Sequence, residues 1–300
     1  MATEAKRDIY SEVTDRIIQA IEAGVPPWKR PWGGASDDGR PDWWPRNAVT
    51  GRPYNGINVW LLSMVGGDPR FVTYNQAQKA GGQVRKGERG IPVTLWKTFP
   101  DKEDPKRMIP VLRGFTVFSV SQIDPIDPAK PPRWRTVEAV KRDKAWKSDR
   151  VNGAIKAIGC PISYGGDKAF YAPAHDRITL PKIEQFDSEG SAAATLLHEI
   201  VHATGHKSRM DRNLTGRFGD SAYAMEELIA EIGAAYLCAH TGVEGSPLNH
   251  ASYIDSWLKV LRSDKRAIFT ASSAAMAAAE WVSVRAGWSV EEPSEGSDEE

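Results

Sequence analysis

From His198 to His202 the chain reads His-Glu-Ile-Val-His, directly after the apolar run Ala192-Ala193-Ala194-Thr195-Leu196-Leu197. No other feature constrains the fold as much. The apolar run reads as a buried helix, predicted over Ser191–Thr204 with Gly205 as its cap, and on a helix residues four apart lie on one face. The apolar surroundings bury that helix, and two imidazoles and a carboxylate need a reason to be buried. A shared metal ion supplies one: both rings grip it, and Glu199 stands beside it, able to take a proton from water. This is the H-E-x-x-H arrangement of zinc metalloproteases. The bland alternative is a pair of helix histidines that simply pack or hydrogen-bond.

A catalytic zinc usually takes three protein ligands. A second acidic cluster, Glu226-Glu227 with Glu231, lies in the next predicted helix, Tyr223–Ala239. Glu227 and Glu231 share a face; one can be the third ligand while the other accepts the free N–H of a ligating histidine. Zinc proteases whose third ligand is a helix Glu followed four residues later by a carboxylate point by analogy to Glu227, and the reverse assignment stays open. His206 is a further candidate, but Gly205 ends the helix before it. The metzincin extension is absent, because Ser208 stands where its last histidine belongs. Glu226 reads as a solvated helix position. Zn2+ suits this donor set, and Mn2+ also binds His/His/Glu sites. Glu199 is the expected general base and proton carrier. The stretch Ala169–Leu180 is expected to lie beside an extended peptide as an edge strand does.

The first half has a different character. The net charge of zero conceals 26 Lys+Arg against 18 Asp+Glu in residues 1–150, and 13 against 21 in residues 151–300. Eight of eleven Trp fall in the first half and all six His in the second. Cations interleaved with aromatic rings suit single-stranded nucleic acid, where Arg and Lys follow phosphates and rings stack on bases without reading sequence. The candidates are Trp28, Lys29, Arg30, Trp32, Arg46, Arg52, Tyr54, Arg85, Lys86, Arg89, Trp96 and Lys97. For each ring core packing competes, and for each charge a solvated surface does; the collective imbalance favours DNA. No base-reading motif is present.

Three hundred residues fit an α+β chain of two domains. The expected division is 1–125 for a basic mixed α/β domain, 126–136 for a proline-rich linker, 137–290 for a mainly helical domain with a small sheet, and 291–300 for a disordered acidic tail. In the first domain, helices are predicted over Ala5–Ala23, Asn55–Ser63 and Tyr74–Ala80, and strands over Ile91–Lys97 and Arg113–Val120, with a charged loop between Pro100 and Pro110. In the second, a helix over Val137–Ile158 precedes strands at Ile162–Tyr171 and Arg177–Leu180, and helices over Tyr253–Leu261 and Asp264–Val284 close the chain. The N-terminus is charged and polar, no apolar run has membrane-spanning length, and two cysteines give no disulfide framework, so a cytoplasmic protein with reduced thiols is expected.

Several segments together resemble the ArdC-type antirestriction proteins of conjugative plasmids, which share an N-terminal region with TraC-type plasmid primases. They include Gly24-Val25-Pro26-Pro27-Trp28 with Pro31-Trp32, Thr50-Gly51-Arg52-Pro53-Tyr54, Gly56-Ile57-Asn58, Thr73-Tyr74-Asn75-Gln76-Ala77 and Val84-Arg85-Lys86-Gly87-Glu88. In the second half they include His198 to Arg209, Glu226 to Leu237 and Trp257-Leu258. The resemblance covers nearly the whole chain outside the acidic tail. It implies an N-terminal domain that binds single-stranded DNA without sequence preference and a C-terminal zincin-like metallopeptidase domain. The implied role is protection of incoming plasmid or phage DNA from host restriction, with an unidentified protein substrate that can belong to the restriction machinery. Two alternatives stand beside it: a DNA-coating protein with a structural or vestigial metal site, and a cytosolic metallopeptidase with no DNA role.

Overall fold

The computed structural model describes residues 8–29, 44–104, 106–135, 144–216, 220–244 and 253–288. The chain forms two compact units, one from Met1–Ile17 and Pro41–Glu138, the other from Ile18–Arg40 and Ala139–Glu300. The expected first domain therefore gives up Ile18 to Lys29, and the reason is local. Trp28 is buried and meets the fully buried Trp257 edge-on at 6.2 Å, while Glu22 forms an ion pair with Arg262.

The first unit begins with α1 (Ile9–Glu22), whose later residues pass into the second unit. Its sheet has the order β1 (Arg46–Asn47), β2 (Arg70–Thr73), β5 (Met108–Ser119), β4 (Ile91–Pro100), with β1 parallel to β2 and the other pairs antiparallel. A two-stranded sheet joins β3 (Gly82–Val84) to β6 (Ile123–Pro125). Helix α2 (Ile57–Ser63) buries Leu62 against Phe71, Ile91, Val93 and Val117. Helix α3 (Tyr74–Lys79) starts on a Thr73–Gln76 capping box, which satisfies backbone donors at both ends of the turn. The expected linker is partly docked: Trp134 packs on the cluster of Ala48, Val72 and Val120, and the Arg135 N–H donates to the Ala48 carbonyl at 2.9 Å. The strands expected to stop at Lys97 and to start at Arg113 run on, so β4 and β5 pair from Ile91↔Val117 out to Pro100↔Met108.

The second unit is mainly helical: α4 (Lys144–Ile158), α5 (Glu189–Thr204), α6 (Ser221–Thr241), α7 (Ile254–Ser263) and α8 (Ala267–Arg285). Residues expected to extend α4 back to Val137, and the acidic tail, lie outside the described residues. Helix α6 packs against α4, α5, α7 and α8 and is apolar on nearly every side, as a central helix must be. Helix α8 is long and apolar enough to cross a membrane, yet Ala271, Ala275, Ala278 and Val282 are buried in this unit. A small sheet has the order β7 (Ile162–Tyr164), β9 (Arg177–Leu180), β8 (Phe170–Ala172), so β8 lies at its edge against α5. The single strand expected over Ile162–Tyr171 is in fact two, divided around Gly165 and Gly166, whose φ values of 156° and 74° few other residues adopt.

Candidate metal centre

Helix α5 opens with Ser188, whose hydroxyl accepts from the Ser191 N–H at 3.0 Å, and carries His198, Glu199 and His202 into the packed interface with α6. The helix ends at Gly205, but not by a left-handed turn, since its φ is −72°. Glycine is needed there for room. A Cβ would lie 2.9 Å from Leu214 Cδ2 and 3.0 Å from both Arg212 Nη2 and the His202 carbonyl.

The two histidine Nε2 atoms approach to 3.2 Å, and the Glu227 carboxylate lies 3.5 Å from His198 Nε2 and 3.7 Å from His202 Nε2. One donor atom from each of the three residues falls within 4.8 Å of the others. The outer face of each ring meets a different carboxylate. His202 Nδ1 is 3.2 Å from Glu226 Oε1, and His198 Nδ1 is 3.6 Å from Glu231 Oε2. With Nδ1 of His202 turned to Glu226, its Nε2 is directed at a second imidazole and a carboxylate. The converging set matches the nitrogen and oxygen donors of a divalent cation. The residues fit the metal group, with Glu227 among the converging donors and Glu231 behind His198.

Glu226 corrects the expectation of a solvated position. Only 8% of it is exposed, and it accepts from Arg212 Nε at 3.1 Å and Nη2 at 2.8 Å as well as from His202. Arg212 also donates to the Val201 carbonyl and the Thr204 hydroxyl, both at 2.7 Å, and so ties the end of α5 to the carboxylate behind the His202 ring. His206 lies outside the trio; its Nδ1 meets the Ser208 hydroxyl at 2.8 Å.

Glu199 is buried, and burial holds its carboxyl above the usual range against the pull of His198 and His202. The Tyr171 backbone on β8 also acts to lower it. Burial acts to raise Glu227 too, but hydrogen bonds from His198 and His202 outweigh it and hold that carboxyl well below its usual range. A cleft of about 290 Å³ opens onto these groups, with Phe170 and Tyr171 of β8 on one side and Leu214 and Tyr223 on another. Tyr223 and Tyr253 both line it with hydroxyls 3.4 Å apart, and burial, Tyr253 and Glu227 together raise Tyr223. Sequence reasoning missed Arg212, Tyr223 and Tyr253. The available signal was position: Tyr223 stands one helical turn before Glu227.

The candidate DNA residues scatter. Trp28 is buried in the second unit. Tyr54 packs edge-on to Phe71 at 6.4 Å, and burial pushes its phenol up to about 12. Arg46 and Arg52 are half-buried. Arg85 is exposed but ion-paired with Glu88 at 2.8 Å and Asp124 at 3.3 Å. Lys86, Arg89, Trp96 and Lys97 are exposed. Lys29 lies in a short 3-10 turn; its side chain, with Arg30 and Trp32, falls outside the described residues.

Residues 149–274 match the family model of a zincin-like metallopeptidase, and residues 7–118 match that of the N-terminal domain of anti-restriction factor ArdC. The uncharacterised protein y4eC of Sinorhizobium fredii is 39% identical over 92% of this chain and 91% of its own length. DNA primase TraC of Escherichia coli is 37% identical over 90% of this chain, which corresponds to 19% of that primase. Crystal structures of the antirestriction protein ArdC from plasmid R388, metal-free and Mn(II)-bound, align at 38% identity with TM-scores of 0.73 and 0.74. Each covers 94% of this chain, and the alignments span 98% and 99% of those chains.

Proposed function

Because the chain belongs to the ArdC family of antirestriction proteins, we propose that it binds single-stranded DNA without sequence preference and cleaves a protein substrate at the α5–α6 site. In this way it protects incoming plasmid or phage DNA from restriction in the recipient cytoplasm. The observation that carries the peptidase part is the convergence of His198, His202 and Glu227 beside Glu199, at a cleft flanked by the edge strand β8. Those three residues hold a divalent cation, Zn2+ or Mn2+. The chemistry such an ion supplies when bound is polarisation of a carbonyl and acidification of water. Glu199 takes the proton of the attacking water as the new C–O bond forms, and returns it to the amine nitrogen as the C–N bond breaks. Glu226 fixes the His202 ring from behind, and Glu231 faces His198 Nδ1 at 3.6 Å. An extended peptide lies along β8, within reach of Glu199.

The DNA part is supported by exposed Lys86, Arg89, Trp96 and Lys97 in the first unit, and by the likeness to a DNA primase over the same region. Transfer of an unmodified plasmid into a restricting host tests the whole reading. Glu199→Ala is expected to abolish protection while leaving single-strand affinity intact. Full protection by Glu199→Ala would leave a DNA-coating protein whose metal site is structural.

A further inference from the structure

Beyond Thr94 the β4–β5 pair leaves the core of the first unit and continues as a two-stranded ribbon. At its base Ile91, Val93 and Val117 are buried with Leu62 and Phe71; from Leu95 to Pro100 every residue is exposed, as are Met108 to Pro110 and Arg113. Six residue pairs at roughly 3.3 Å each give a free length of about 20 Å. A bare ribbon has little stability of its own, and this one spends its exposed positions on apolar side chains. Trp96 is 53% exposed, Met108 53%, Leu95 40%, Ile109 38% and Phe99 37%. Apolar surface grouped in this way marks a contact surface.

The ladder shows what kind of contact it is. Thr94 gives both its N–H and its carbonyl to the Asn58 side chain, at 2.8 and 2.6 Å, so even-numbered residues of β4 turn their backbone away from β5. Pro92 and Pro100 share that parity, and Pro110 pairs with Thr98 in the same register class. The prolines therefore cost the ladder nothing, and they remove donors from both outer edges. An added protein strand finds an edge there that is only partly blunted, and the side chains carry the rest of the recognition.

The register sorts those side chains. One face carries Leu95, Lys97 and Phe99 with Arg113, Val111 and Ile109; the other carries Trp96 with Leu112 and Met108. The Arg113 guanidinium lies over the Phe99 ring at 5.3 Å. The paired strands, residues 95–100 and 108–113, hold two cations and no carboxylate, and the tip between them, residues 101–107, balances three carboxylates with three cations, so the ribbon as a whole is cationic. An exposed ring flanked by cations on one face and an exposed indole on the other complement a polyanion whose bases are free to stack.

We propose that this ribbon is the contact for single-stranded DNA that passes around it, with Phe99 stacking on a base beside Lys97 and Arg113, which follow the phosphates on that face, and Trp96 stacking on a base at the opposite face. The inference rests on the DNA part of the proposed function and moves it away from the basic turn at Arg85, whose guanidinium Glu88 and Asp124 already hold.

The test is fluorescence anisotropy of a labelled oligothymidylate on the full chain over a salt series, with circular dichroism as a check on folding. The double variant Trp96→Ala/Phe99→Ala is expected to bind at least about tenfold more weakly at every salt concentration, with an unchanged salt slope. Lys97→Ala and Arg113→Ala are each expected to reduce the slope of log affinity against log salt by about 0.7. Lys97→Glu/Arg113→Glu, which keeps both rings, should lose most binding at low salt. Wild-type affinity in the two double variants overturns the ribbon assignment while the DNA reading survives. Failure of the wild-type chain to bind the oligomer at low salt overturns both. Equal competition by duplex DNA removes the single-strand preference, and a variant whose sedimentation coefficient falls while its DNA affinity is unchanged reassigns the ribbon to self-association of this chain.

Discussion

Arg212 does two jobs with one guanidinium: it holds both oxygens of Glu226, and it satisfies the carbonyl of Val201 near the end of α5. Glu226 in turn fixes the ring of His202. Replacing such an outer carboxylate typically weakens metal affinity 10–100-fold. Glu226→Gln and Arg212→Met are therefore expected to lower Mn(II) and Zn(II) affinity by about that factor, measured by competition with a chelating dye; unchanged affinity in both would remove their positioning role. Gly205→Ala places a methyl group against Leu214, Arg212 and the His202 carbonyl. It should destabilise the fold by about 1–3 kcal/mol in denaturant titration, whereas a glycine kept only for its backbone freedom would tolerate alanine at a φ of −72°. At this scale the sequence was legible where spacing carries the meaning. His198, Glu199, His202 and Glu227 are found together because a helix makes four-residue neighbours adjacent. Glu226 was misread because a carboxylate next to a ligand defaults to a solvated face. Ala224, Leu228, Ile229 and Ala230 around it already said that α6 has no solvated face in that turn.

Between elements, a staple fixes α5 to the sheet that flanks the cleft. Arg209 donates to the Ala203 carbonyl at 2.7 Å and forms an ion pair with Asp176, which also accepts from the Tyr171 hydroxyl at 2.7 Å. Burial pushes the Asp176 carboxyl up, but hydrogen bonds from Arg209 and Tyr171 outweigh it and leave its affinity for protons below the ordinary value of 3.8. A carboxylate depressed in the folded state adds stability above its unfolded pKa and loses it as pH falls through the folded one. Asp176→Asn should thus cost about 1–2 kcal/mol near neutral pH, after allowing for a partly exposed pair. The gap between variant and wild type should close below about pH 4, and a gap that stayed constant from pH 7 to pH 3 would exclude the ion pair as its source. Strand ends were less legible than helices for a related reason. Prolines at 100 and 110 read as breakers, yet the ladder accepts proline wherever the backbone faces outward. Two- and three-residue strands such as β1, β3 and β6 have no periodicity to read, because their pairing partners lie far along the chain.

For the whole chain, the halves that differ in charge only approximate the units that fold. Charge and Trp content changed near the middle of the sequence, but Trp28 follows Trp257 into the second unit because edge-to-face packing in a buried site outweighs composition. The candidate metal donors all belong to that second unit, and they bridge α5 to α6, the helix its neighbours surround. A ligand that binds only this assembled trio stabilises the elements carrying it: at one hundred times its dissociation constant the gain is about 2.7 kcal/mol, or roughly a hundredfold slowing of exchange through openings that break the site. Hydrogen exchange with and without saturating Mn(II) should therefore show added protection in α5 and α6 and none in the β4–β5 ribbon, whose anchoring cluster belongs to the first unit. His202→Ala should erase the difference. Protection that rose equally in the ribbon would mean that the ion binds elsewhere, or that the two units open as one.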